Sequence, residues 1–475
     1  MTLLWIPIGL LPLIAIGWLS VRTLEGGPSL TRTERIAYGA ALGPTLTFYV
    51  TFLLHVAGLV SFTFVGFLLV QTALLAALGS YYWLKVRGWA AAYPVEAPAP
   101  LTLARWAKIL LAVLLAWTAV KLLAMGAILT MTPVYQDDAF NNWNFRGKMY
   151  YVEERLQIGV LRPDGTVASD GVHSYPPALP LVKTWVATLA GTWTDGLAGG
   201  VHLLWFAAAL ALVYCTVRRY ASAFWALLGI YVLASLPLYM VHGTSAYADV
   251  FLSAHVLAAL APLLMALRTR DTGACRAWLR IGALAAGLLV FTKNEALLMH
   301  LPPLAVVTLV ALWWLHRTNR LSRREAVIAA IWYIVLVLAV LVPWTAFKWA
   351  NGLSFGNAKS ISGLELSWQP GVLQSLWITY LFEANWLVLP PVALALIAWR
   401  WRDSIRSPFL ALTFFVTVVI IGQDLVFLFT GISTEALRQT GSGRGIVHLL
   451  PAIVALVMLL LATMFPRMGI RREVS

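Results

Sequence analysis

Residues 106–148 read WAKILLAVLLAWTAVKLLAMGAILTMTPVYQDDAFNNWNFRGK. From 106 to 131 the chain is apolar enough, and long enough, to cross the roughly 30 Å hydrocarbon core as a helix. It then leaves the bilayer on two adjacent carboxylates, Asp137 and Asp138, followed within a dozen residues by aromatics, amides, Arg146 and Lys148. A greasy span that opens onto paired acids sets both the fold class and the question of function.

Working outward, apolar runs of similar length recur from end to end. Of the 475 residues, 60% are hydrophobic and only 11% charged, so a soluble protein of this composition would have no polar skin. The class is an all-α, polytopic transmembrane protein. Spans are expected at about 3–21, 36–57, 59–82, 106–131, 197–216, 223–241, 246–267, 278–291, 296–315, 326–347, 373–399, 409–429 and 445–464. The first lacks the basic flank of a signal peptide and reads as a retained span. Two cysteines, Cys215 and Cys275, are too few for a disulfide framework and have no metal-ligand spacing around them.

The net charge of +14 does not point to nucleic acid, because the cations sit in short loops between spans with no basic face. Thirteen spans put the termini on opposite sides. One set of loops holds 23 of the 34 Lys and Arg, the other ten, and Lys121 falls inside a span. The positive-inside rule therefore predicts a cytoplasmic C-terminus and an outer N-terminus. Asp137 and Asp138 then lie outside, in the longest loop, 132–196. Loops 348–372 and 430–444 share that face. The Ala/Pro-rich segment 89–100 reads as a linker. It divides an N-terminal region (1–100) from a core (101–347) and a C-terminal membrane region (348–475).

Every polar outlier worth singling out falls on the outer face. The paired aspartates suit one of them to accept a proton, or both to hold a divalent cation. With a helix starting near Asp138, Asn142, Arg146 and Tyr150 would share one face. Arg146 and Lys148 would meet either a phosphate or lipid headgroups. In FTKNEALL (291–298), Lys293 and Glu295 follow a short span and so lie within membrane depth, where ionisable groups pair or line a cavity. VHGTSAYADVF (241–251) carries His242, Tyr247 and Asp249 at a turn between helices. TGSGRGIVHLLP (440–451) places Arg444 at a helix start, a natural anion site. His55, His202, His255 and His300 read as bland structural groups.

Taken in order, the acidic pair with W..RGK behind it, YPPALPLVKTW, HGTSAYADVF and FTKNEALL resemble the GT-C superfamily of membrane glycosyltransferases. The likeness is to the family 39 type, related to protein O-mannosyltransferases and lipid A aminoarabinose transferases. It covers about 104–316 well and the rest loosely, with three extra spans in front. The resemblance implies a transferase that takes a sugar from a polyprenyl phosphate and gives it, with inversion, to a hydroxyl of a lipid, glycan or protein. It implies a non-cytoplasmic active site, in a bacterial cytoplasmic membrane. Asp137, matching the first acid of the family's Asp-Glu pair, would be the base with Asp138 assisting. This chain has Asp-Asp there, so either carboxylate can take the role. Lys293, Arg444, Arg146 and Lys148 would contact the donor phosphate. Glu295, Asp249, Tyr247, His242 and Tyr175 would hold sugar or acceptor. A transporter of lipid-linked saccharides is the alternative, although no internal repeat is visible and the polar groups gather at one face.

Overall fold

The computed structural model describes residues 2–86, 103, 105–161, 167–168, 171–354, 366–406 and 408–465. The linker 89–100, the turn RPDGT (162–166), residues 355–365 of the loop 348–372 and the C-terminal Arg467, Arg471 and Arg472 lie outside them. The helices are α1 Trp5–Glu25, α2 Arg32–Val56, α3 Phe64–Tyr81, α4 Arg105–Met131, α5 Asn144–Glu153, α6 Ala178–Ala190 and α7 Asp195–Gly200. They continue with α8 His202–Tyr220, α9 Ala223–Leu233, α10 Pro237–Thr244, α11 Ala248–Arg268, α12 Thr272–Leu289, α13 Leu301–Arg317 and α14 Arg323–Ala350. The last are α15 Val372–Leu381, α16 Leu389–Trp399, α17 Trp401–Ser404, α18 Leu410–Phe429, α19 Ser433–Leu437 and α20 Gly441–Met464. The only strands among the described residues are a two-residue antiparallel pair, Val160–Leu161 with Val167–Ala168.

Among the described residues, ten helices are long and apolar enough to span a membrane, or eleven if α9 and α10 form one span bent by 66°. The protein is an integral membrane protein. Two expected spans look different. The stretch 278–291 belongs to α12, whose two arginines near its start dilute its hydropathy. The stretch 373–399 divides into α15 and α16, because Leu389 is followed by two prolines that start a new helix. The bend between α9 and α10 occurs before Pro237, and Lys121 of α4 braces it by donating to Ser235 Oγ at 2.6 Å.

Burial orders these helices. The apolar stretch of α11 is 100% enclosed, those of α4 and α14 only 17%, so α11 is the axis and α4 and α14 face lipid. Small residues Ala254, Ala258, Ala259 and Ala261 let α8, α12 and α20 close around α11. Ser253 bonds Tyr239 at 3.0 Å and His255 bonds Thr45 at 2.9 Å, tying α11 to α10 and α2.

The N-terminal hairpin is part of this core. A Cβ added to Gly17 would fall 2.2 Å from the Gly39 carbonyl oxygen, and one on Gly43 2.1 Å from the Leu13 carbonyl oxygen, so α1 and α2 touch backbone to backbone. At the end of this hairpin, buried Glu25 accepts from Arg22, Arg35 and the Ser29 and Leu30 amides. Buried Glu34 closes the capping box of α2 with Thr31 and pairs with Arg219 of α8 at 2.5 Å. Arg280 of α12 donates to the Glu25 carbonyl at 3.1 Å. The helices α1 and α2 thus pack into the common core.

Close backbone contact predicts a sharp contrast between glycines. Gly17→Ala should lower the thermal unfolding midpoint of the purified protein, at a cost of about 1–3 kcal/mol for overpacking. Gly422→Ala on α18, where an added Cβ meets nothing within 4 Å, should leave the midpoint unchanged or raise it slightly.

Candidate active site

Three elements bring four donors to one carboxylate. Asp249, in the first turn of α11, is fully buried. Its Oδ1 accepts from Lys293 Nζ at 2.8 Å and from His448 Nε2 at 2.8 Å. Its Oδ2 accepts from His242 Nδ1 at 3.0 Å and from Arg444 at 3.2 Å. A carboxylate offers about four lone-pair positions, and all are taken. Asp249 therefore organises the site and has no acceptor capacity left for a sugar hydroxyl. Because it can only accept, His448 must carry its proton on Nε2. A neutral His448 then presents a bare Nδ1 to His300 Nε2, 3.4 Å away.

The hub is connected outward to the acidic pair. Arg444 also pairs with Asp138 and lies over the Tyr247 ring, 5.3 Å from its centroid. The two aspartates diverge: the chain turns into a π-helical stretch, Ala139–Trp143, directly after Asp138. Asp138 is half-buried and directed at Arg444, whereas Asp137 is exposed and accepts from Asn141. On the other side Lys293 pairs with Glu295 at 3.1 Å, and Tyr175 donates to the same Glu295 oxygen at 3.5 Å. The second Glu295 oxygen, Oε2, is buried with no hydrogen-bond partner among the described residues. Burial, reinforced by Glu295, pushes the Tyr175 phenol well up, and burial with Asp138 nearby raises that of Tyr247. Both phenols are therefore hydrogen-bond donors.

Part of this chain's architecture has been seen before. Two solved structures of ArnT from Cupriavidus metallidurans match it, one bound to undecaprenyl phosphate and one in the apo state. The first superimposes with a TM-score of 0.52 over 75% of this chain, at 18% identity; the second with 0.52 over 76%, at 17%. The fold is a GT-C fold. The chain spans 61% and 62% of those two chains. No protein-family profile and no curated protein matches it.

Within this GT-C fold the residues singled out from sequence separate into groups. Asp138, Asp249, Lys293, Glu295, Arg444, His242, Tyr247 and Tyr175 form one connected cluster. Arg146 does not enter it. As the periodicity predicts, it shares a face with Asn142 and Tyr150, but that face is buried. It donates to Tyr150 Oη at 3.1 Å, Asn142 Oδ1 at 3.4 Å and the Tyr175 carbonyl at 2.7 Å. That geometry braces the Tyr175 loop and leaves no free edge for a phosphate. Lys148 points to the exterior. Among the described residues no group of three or more His, Cys, Asp or Glu has the geometry to hold a metal.

Four partners were not singled out from sequence. His448 lies one turn beyond Arg444 on α20, and this i, i+4 spacing was the readable signal. His300, read as bland, reaches the hub through His448. Lys183 is fully buried on α6 and joins Asn144 of α5 to the Ala246 carbonyl in the turn before Asp249. Lys348 is fully buried in the last turn of α14.

Neutralising the hub leaves two cations facing a neutral amide. Asp249→Asn should therefore cost about 3–5 kcal/mol, as removing one partner of a buried ion pair does. Asp137→Asn, on an exposed carboxylate, should change stability by less than about 0.5 kcal/mol. Unfolding equilibria of the two variants in mixed detergent micelles measure the difference.

Proposed function

We propose that the protein is a membrane glycosyltransferase. It moves a sugar from a polyprenyl-phosphate donor to an acceptor hydroxyl at the non-cytoplasmic face of a bacterial cytoplasmic membrane. The observation that carries this reading is the bridge Asp138–Arg444–Asp249–Lys293–Glu295 in a GT-C fold. It places an outward carboxylate beside cations at the end of the bundle opposite the arginine-rich one. A similar fold has been solved with undecaprenyl phosphate bound.

The chemistry needs a base for the hydroxyl and positive charge for the leaving phosphate. The acceptor oxygen forms a bond to the anomeric carbon from the face opposite the departing phosphate, so the configuration inverts. The bond from that carbon to the phosphate oxygen breaks, and the hydroxyl proton passes to a carboxylate. Asp138 is the better placed base, in place of the Asp137 expected from family pattern, because Asp138 alone of the pair reaches Arg444. The cluster holds three carboxylates (Asp138, Asp249, Glu295) and two basic side chains, so a phosphate has to compete for a cation. Arg444 is the one able to change partner: 29% of its side chain is exposed, against 2% for Lys293. An arginine that turns to the donor phosphate releases Asp138 to act as base, which couples donor binding to activation. Lys293 stays on Asp249 and Glu295, and Glu295 Oε2 and Tyr175 are left to hold sugar hydroxyls.

Transfer from a panel of radiolabelled polyprenyl-phosphate sugars tests this with wild type, Asp138→Asn and Asp137→Asn in proteoliposomes. Loss of a general base lowers the rate by roughly 100- to 10,000-fold, so Asp138→Asn should be nearly inactive while Asp137→Asn keeps most of its activity. Equal transfer by all three sinks the assignment of the base. Labelled lipid that crosses the bilayer without any transfer would favour transport instead. A membrane-impermeant thiol reagent should label Asp137→Cys from the non-cytoplasmic side only; labelling from the cytoplasm would refute the orientation.

A further inference from the structure

One buried cation lies outside the bridge yet touches both loops that complete it. Lys348 ends α14 with its ammonium fully enclosed, 5.2 Å from the centroid of the Trp344 ring. It donates to the Ser174 carbonyl at 2.7 Å and to Asn294 Oδ1 at 3.2 Å. Asn294 Nδ2 in turn donates to Ser174 Oγ at 3.3 Å, closing a triangle. Each corner adjoins the site: Ser174 precedes Tyr175, and Asn294 lies between Lys293 and Glu295.

We propose that Lys348 is a positioning residue that sets Tyr175 and the Lys293–Glu295 break against each other. The backbone of 171–177 is held at two successive carbonyls, Ser174 by Lys348 and Tyr175 by Arg146 at 2.7 Å. The second loop follows α12 and is held through Asn294. Only with both loops fixed does Tyr175 Oη reach Glu295, and does Lys293 reach both Asp249 and Glu295. Three donors on one small ammonium suit this task, because neutral oxygens of two loops can be met at once. The inference rests on the glycosyltransferase reading for its consequence in turnover, and on the contacts alone for the clamp.

The test pairs a physical readout with a kinetic one, using the full chain in nanodiscs as wild type, Lys348→Met and Lys348→Arg. Hydrogen exchange should rise in Lys348→Met at both 172–176 and 292–296, while 25–35 at the far end stays protected. Turnover per folded protein should fall roughly 10- to 100-fold, as a displacement near 1 Å does. The donor KM should move less than about threefold, and Lys348→Arg should recover most of kcat because it keeps the donors. Unchanged exchange in either loop overturns the clamp, and so does a rise that extends to 25–35, which would mean general loosening. Wild-type kcat in Lys348→Met overturns the positioning role. If wild type transfers no sugar at all, the glycosyltransferase reading fails while the exchange data still decide the clamp.

Discussion

Everything at one end of this bundle depends on a single carboxylate being kept charged in a place without water. An isolated carboxylate buried among Ala, Leu and Val would cost far more than a domain's whole stability, so it needs partners on every side. Asp249 has them, two cations and two imidazoles, and they come from α10, the break after α12, and the start of α20. None of these elements is adjacent in sequence to α11 except α10 and α12. The charge thus specifies which helix ends meet, and the apolar packing along α11 alone would not. Removing it would leave the segments around Lys293 and Arg444 without a shared anchor.

The opposite end repeats the arrangement with different consequences. There Glu25 and Glu34 are the buried acids and arginines from α1, α2 and α8 surround them. Their lone pairs are consumed by backbone amides and capping as well as by guanidinium groups. One cluster welds the N-terminal hairpin to the core. The other leaves open valences, at Glu295 Oε2 and on the exposed part of Arg444, where a ligand can enter. That contrast, more than the number of charges, separates a structural network from a site.

Much of this was legible in sequence because intramembrane charge is costly and therefore informative. The spans α1 to α4, α8, α11, α13, α14, α18 and α20 follow from apolar length alone, and that Asp138, Asp249, Lys293, Glu295 and Arg444 gather at one end follows from the alternation of spans and loops. Two things were not legible. Composition cannot report direction, so Asp137 and Asp138 look equivalent until the π-helical stretch after Asp138 turns one outward. Nor can it separate a lysine that snorkels to the interface from one that folds inward. Lys348, in the last turn of a lipid-facing helix, reads as the first kind and is the second. His448 shares a face of α20 with Arg444, but only the packing of α20 on α11 brings that face against Asp249.

The same geometry explains why so many cations at this end are out of water's reach. Ten Lys and Arg fall on the outer side by sequence, and Arg146, Lys183, Lys293 and Lys348 are buried around one site, with Arg444 half-buried beside them. Two of the five, Lys293 and Arg444, meet carboxylates. Arg146, Lys183 and Lys348 donate to oxygens of Tyr175, Ser174, Asn294, Asn144 and Ala246. Three acids, Asp138, Asp249 and Glu295, share Lys293 and Arg444, so a ligand bearing a phosphate would enter by taking Arg444 from Asp138. The loops that shape the pocket would be held by Arg146, Lys183 and Lys348 while the ligand meets Arg444.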